Sequence, residues 1–247
     1  MKKDKIRGSF VLLAILVVAN SGFAQNQWEP AEKEVLEKKV QAVSRFFGDE
    51  EAYRVEVRMS SYKGHLAVTP HDVAEGYIKK VGKNTCVSSL GMVTVQDGIL
   101  KVMVDTANRI IGIYEANKAF YKGMIDLENL RFEGGGNCFS RSSKKATSYR
   151  MEMPGSSPLE RIEFTVDHKN FLSDWTLFYA REVEEENASG TVSRAKPKLG
   201  IEYRLSTTAP LLHAEERVDH YISIKGDKVI AKGSYRSFEL VDFRVKK

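Results

Sequence analysis

Residues 76–114 read GYIKKVGKNTCVSSLGMVTVQDGILKVMVDTANRIIGIY, a series of short apolar runs cut by turn residues. The runs Glu75–Val81, Thr85–Leu90, Met92–Gln96, Leu100–Asp105 and Arg109–Tyr114 are divided by Gly82-Lys83-Asn84, Gly91, Asp97-Gly98 and Thr106-Ala107-Asn108. Short runs bounded in this way predict an antiparallel meander. Asp97-Gly98 lies between two apolar runs and is expected to close a type I′ hairpin, because both central residues of that turn need positive φ. Within Leu100–Asp105, Leu100, Val102 and Val104 share one face and Lys101, Met103 and Asp105 the other, which is the pattern of a sheet with a core on one side.

Upstream of the meander, Pro30-Ala31-Glu32-Lys33-Glu34 opens a predicted helix, with proline and acids in the first turn where the missing N–H and the macrodipole favour them. Leu36, Val40, Val43 and Phe47 recur at helical spacing, Val35 and Phe46 widen the stripe, and Gly48 ends it. Tyr53–Ser60 then alternates without a fault, with Tyr53, Val55, Val57 and Met59 on one side and Arg54, Glu56 and Arg58 on the other.

Downstream, 118–125 reads as a strand, 126–132 as a helical turn and Glu133–Asn137 as a glycine-rich surface loop. Strand patterns return at Thr147–Met153, Arg161–Val166, Leu172–Ala180, Leu199–Ser206, Val218–Ile224 and Ser234–Val245, and Glu182–Lys198 reads as an exposed loop. The fold class is therefore α+β and mainly antiparallel β: a curled, incomplete barrel of about eleven strands, since so many do not stay flat, with an N-terminal amphipathic lid helix over its concave side.

Residues 1–24 are read as a secretory signal peptide, with Lys2, Lys3, Lys5 and Arg7, an apolar run Phe10–Ala19, and small residues before a cut after Ala24. Residues 25–247 are then a single half-barrel domain, exported to the periplasm, with no transmembrane segment. The full chain carries +5 and the leader +3, which leaves +2 and argues against nucleic acid as a partner. Lys79-Lys80-Lys83 and Arg141-Lys144-Lys145 read as solvated basic clusters. Cys86 and Cys138 are either one disulfide or two buried thiols. The five histidines never fall at ligand spacing, and His213 beside Glu215 and Glu216 reads as a turn with a solvated acid pair. There is no nucleophile elbow, and no cofactor or metal is expected.

What the sequence does offer is apolar strand surface. Val55, Val57, Met59, Ile78, Val93, Val95, Val102, Val104, Ile111 and Ile113 are expected to line the concavity, with Phe164, Trp175, Leu177, Ile201 and Tyr203 extending it beneath the lid. Such a hollow is sealed by the helix or filled by a ligand.

The order of these features resembles the periplasmic outer-membrane lipoprotein carrier family (LolA-like). Gly76-Tyr77-Ile78-Lys79-Lys80-Val81-Gly82-Lys83 looks like that family's glycine, apolar strand, basic pair and Gly-Lys turn, and Asp97–Asp105 looks like its Asp-Gly hairpin, apolar strand and closing Asp. Val81 stands where the family has proline, and Thr85 stands near the place of a cavity arginine. The resemblance implies a half-barrel fold and affinity for the acyl chains of a lipid or lipoprotein, without enzymatic activity. The alternative is a non-enzymatic cell-envelope interaction protein with a sealed core, docking a protein partner through a sheet edge or the 182–198 loop.

Overall fold

The structure is a computed structural model that describes residues 27–117, 136–186, 192–206, 210–226 and 228–244. The expected signal peptide, the strand at 118–125, the helical turn at 126–132 and all but the last two residues of the glycine loop lie outside the described residues. Among the described residues, no helix is long and apolar enough to cross a membrane.

In chain order the elements are β1 (Glu29–Pro30), helix α1 (Lys33–Asp49), β2 (Ala52–Tyr62), β3 (Asp72–Val81), β4 (Asn84–Ser89), β5 (Met92–Gln96), β6 (Leu100–Asp105), β7 (Ile110–Glu115), β8 (Cys138–Ser142) and β9 (Ala146–Glu152). There follow β10 (Leu159–Asp167), β11 (Leu172–Tyr179), β12 (Val183–Glu186), β13 (Val192–Ala195), β14 (Lys198–Leu205), a 3-10 turn (Ala214–Glu216), α2 (Val218–Tyr221), β15 (Ile222–Lys225), β16 (Lys228–Ala231), a second 3-10 turn (Gly233–Ser237) and β17 (Glu239–Asp242).

Thirteen strands form one open sheet in the order β1-β8-β9-β10-β11-β14-β2-β3-β4-β5-β6-β7-β17. Its end strands are not paired with each other, so it curls without closing, as a twisted sheet of this width must. Pairing is antiparallel except at β17, which lies parallel to β7.

The expected meander is present as β3 to β7, but several boundaries differ. Helix α1 starts at Lys33, because Pro30 is held in β1 against Phe139, and it runs to Asp49, past Gly48. Residues 182–198 are not a plain loop: they carry the hairpin β12–β13. The expected strands 218–224 and 234–245 break into α2, β15, a 3-10 turn and β17. Asp97-Gly98 does not form a type I′ turn, since neither residue has positive φ; Asp97 Oδ1 instead accepts hydrogen bonds from Ile99 N at 2.7 Å and Leu100 N at 2.8 Å. The paired positive φ occurs one hairpin earlier, at Leu90 (51°) and Gly91 (76°) between β4 and β5.

The strand registers give the sheet two apolar faces in different places. Residues directly opposite each other on neighbouring strands share a face, and successive residues alternate. Val55 faces Ile78, Ile78 faces Val87, Val87 faces Thr94 and Thr94 faces Met103. That face is apolar from β9 to β4 and turns mixed beyond it. On the other face, Lys79 opposes Cys86, Cys86 opposes Val95, Val95 opposes Val102 and Val102 opposes Ile113. That face is apolar from β4 to β7. Each stripe has its own cover and its own core: helix α1 on the first, and the C-terminal segment 211–242 on the second.

The two stripes overlap on β3 and β4, where the chains approach closely. A Cβ on Gly76 would stand 2.1 Å from the Ser88 carbonyl oxygen, whereas one on Gly155 would meet nothing within 4 Å. Gly76→Ala is therefore expected to cost about 1–3 kcal/mol in urea unfolding, the usual penalty for overpacking, and Gly155→Ala to leave the midpoint unchanged.

Candidate functional site

On the helix face, α1 inserts Leu36, Val40, Val43 and Phe47, each at most 3 % exposed, against Tyr53, Val55, Ile78, Tyr149, Ile162, Phe164 and Leu172. Phe46 and Phe171 meet edge to face with centroids 5.5 Å apart, and Phe47 meets Tyr53 in the same way at 5.5 Å. Burying four such side chains contributes on the order of 8 kcal/mol at about 2 kcal/mol each. The polar ties that accompany them are weaker: Lys39 Nζ donates to Asn170 Oδ1, and Lys80 Nζ to the Gly48 carbonyl, each at 2.9 Å. Each of these is worth about 1 kcal/mol net. Docking of the helix is thus almost wholly hydrophobic.

The cover is incomplete. Val57, Leu177, Ile201, Met153 and Leu159 pack against this core but stay partly exposed, so an apolar margin continues past the helix across β10, β11, β14 and β2. At the edge of that margin lies Trp175, whose indole N–H is buried without a hydrogen-bond partner.

The C-terminal face is closed differently. Val218, Tyr221, Ile222 and Ala231 cover Cys86, Val95, Leu100, Val102, Val104, Ile111 and Ile113. One buried ion pair pins this cover to the sheet. Lys79 Nζ reaches both Glu216 oxygens at 2.6 Å and the Leu211 carbonyl at 3.1 Å, and Glu216 Oε2 accepts from His213 N at 2.8 Å. Lys79 is 1 % exposed and Glu216 3 %. Burial on its own would raise the Glu216 carboxyl, but the Lys79 ammonium and the His213 N–H outweigh it and hold the group below the usual carboxylate range. Beside the pair, Tyr77 Oη lies 3.7 Å from Cys86 Sγ, and burial pushes the Cys86 thiol up to about 11, so it stays protonated and unreactive at neutral pH.

A cleft of about 360 Å³ lies alongside this cover, lined by Asn84, Asp97, Leu212, Arg217, Val218 and Asp219. Asn84, Asp97, Arg217 and Asp219 give its wall polar and charged groups that do not suit an alkyl chain. Among the described residues, no three His, Cys, Asp or Glu side chains gather as a metal set.

The residues expected to line one hollow divide between the two faces. Val55, Val57, Met59, Ile78, Phe164, Trp175, Leu177, Ile201 and Tyr203 lie on the helix face, together with the lid residues Leu36, Val40, Val43 and Phe47. Val93, Val95, Val102, Val104, Ile111 and Ile113 lie on the opposite face, under the C-terminal segment. A single concavity lined by all of them is therefore incorrect. The reason is register: two-residue turns at Gly82-Lys83 and Leu90-Gly91 pair Val81 with Asn84 and Ser89 with Met92, which sets Val87 opposite Thr94. Counting through those turns in the sequence would have exposed the change of face.

Of the two readings of the cysteines, a disulfide or two buried thiols, the second holds. Cys86 and Cys138 are free thiols buried in the two separate cores, on opposite sides of the sheet. Lys79 is likewise not part of a solvated cluster, nor Glu216 of a solvated acid pair. Their local sequence is ordinary for a surface, and only the long-range contact between residues 79 and 216 buries them.

No family model and no curated protein matches this sequence. Among solved structures, the chain is similar to a DUF1329 family protein from Desulfovibrio piger, at 11 % identity over 74 % of this chain and 97 % of that one, with a TM-score of 0.31. It is also similar to a putative outer membrane lipoprotein-sorting protein domain from Vibrio parahaemolyticus, at 9 % identity over 69 % of this chain and 93 % of that one, with a TM-score of 0.24. Neither likeness decides a function.

Glu216→Leu is expected to destabilise the protein by about 3–5 kcal/mol, because it strands a buried ammonium, and the double variant Lys79→Met/Glu216→Leu to recover most of that loss. Acid should act in the same direction. A carboxyl held below its unfolded value contributes stability that is complete above about pH 4.3 and is lost as pH falls through the lower folded value. Hydrogen exchange between pH 7 and pH 3 is expected to show the 211–242 segment loosening before α1, and a Glu216→Gln variant to lack that pH dependence.

Proposed function

We propose that this chain is a non-enzymatic periplasmic binding or carrier protein that shields acyl chains, of a lipid or of a lipoprotein, between helix α1 and the sheet face beneath it. The observation that carries the reading is the incomplete hydrophobic cover of that face. One helix, held by four buried apolar side chains, the Phe46 ring and light polar ties, lies on a stripe whose neighbours Val57, Leu177 and Ile201 are left partly uncovered.

The magnitudes favour exchange of helix for ligand. A chain of about fourteen carbons buries roughly 11 kcal/mol of hydrophobic free energy at about 0.8 kcal/mol per methylene, before association costs. That is comparable to what the lid side chains contribute. A chain sliding along the uncovered margin can therefore replace helix contacts with its own at little net cost, and the helix need only shift outward. The C-terminal cover is a poorer candidate for such movement, since lifting it would break the buried Lys79–Glu216 pair.

A second reading keeps the same fold with a sealed core and a docking role in the cell envelope. It is favoured by the near-complete burial of Leu36 and Val43, both at 0 % exposure. One set of measurements separates the two. For the carrier reading, delipidated protein should enhance the fluorescence of N-phenylnaphthylamine, native mass spectrometry of protein taken from its own periplasm should show bound lipid or acylated cargo, and Leu177→Gln should weaken dye binding at least about tenfold, the equivalent of 1.4 kcal/mol. No dye response and no co-purifying lipid would leave the sealed-core reading.

A further inference from the structure

Trp175 sits on β11 at the border between the closed and the open parts of the helix face. Its cross-strand neighbours are Phe164, 1 % exposed, on β10 and Ile201, partly exposed, on β14. Trp175 is only 9 % exposed, and its Nε1 is buried with no acceptor among the described residues. Indole carries a donor and no acceptor, and buried donors in folded proteins nearly always have a partner. Phenylalanine would supply most of the same apolar area without the unmet N–H. The nitrogen therefore matters most for something that arrives.

We propose that Trp175 Nε1–H donates a hydrogen bond to the carbonyl oxygen of an ester-linked acyl chain bound on the helix face. The assignment rests on the carrier reading above and adds to it a polar subsite and a direction. A hydrocarbon tail has nothing to offer an N–H, whereas the ester carbonyl at its head does. With that carbonyl at Trp175, the head group points toward the open margin formed by Leu177 and Ile201. The tail runs the other way, beneath α1 toward Val43 and Phe47. Polar and apolar ends of the ligand then meet water and core respectively, as each requires.

The test uses a matched pair of ligands, 1-palmitoylglycerol and its ether analogue 1-O-hexadecylglycerol, which differ in the carbonyl. The chain has two tryptophans, so its ¹H–¹⁵N spectrum holds two indole resonances, and Trp28→Phe identifies the one from Trp175. The ester is expected to move the Trp175 indole proton downfield and to bind about tenfold tighter than the ether, the usual weight of one satisfied buried hydrogen bond. The ether should leave that proton in place, and Trp175→Phe should bind the two ligands equally. Equal affinity and equal indole shifts in the unmodified chain, or a preference for the ester that survives Trp175→Phe, would overturn the proposal while leaving the carrier reading intact. Binding of neither ligand would overturn both. Because the spectral comparison is made on the unmodified chain, it decides the matter even if the Phe variant does not fold.

Discussion

Everything in this molecule follows from the alternation of side chains along a strand. A strand has two sides, and a sheet that is apolar on different sides in different places must be covered twice. Here the change occurs on β3 and β4, where Ile78 and Val87 point into the helix core while Lys79 and Cys86 point into the other. Those two strands are buried on both faces along part of their length. They are the seam joining two half-cores that share no cluster of side chains.

The two covers are fastened by different physics. Helix α1 is held by apolar burial, which has no direction and little preference for one set of contacts over another. The C-terminal segment is held by apolar burial plus a buried ion pair, a backbone cap at His213 and a parallel strand at the sheet edge. Such contacts are directional and costly to break singly. A protein built this way has one cover held without directional contacts and one locked by them.

The sequence shows some of this and hides the rest for physical reasons. The helix stripe Leu36, Val40, Val43 and Phe47, the alternation of Tyr53 to Met59 and the meander from residue 76 onward are local patterns, and the folded chain keeps them. The face on which Val95 or Val102 lands is not local, since it depends on the parity of every turn between it and Val55. Lys79 and Glu216 look like surface residues because each stands beside another charged residue, Lys80 and Glu215, and their burial depends on a contact spanning more than a hundred residues. The C-terminal cover escaped recognition because it works through scattered rings, Tyr221, Tyr235 and Phe238, set on short turns with no sustained period.

An unclosed sheet has two rims, and each rim is a row of unsatisfied amides ready to recruit another chain. Here one rim ends in β1, two residues long and containing Pro30, which lacks an amide hydrogen to offer. The other would be β7, with its Ile110-Ile111-Gly112-Ile113 run, were β17 not laid along it. β17 is thus a selvedge: any chain that lacks residues 239–242 leaves the β7 border unhemmed, free to be stitched to the strand of a neighbour.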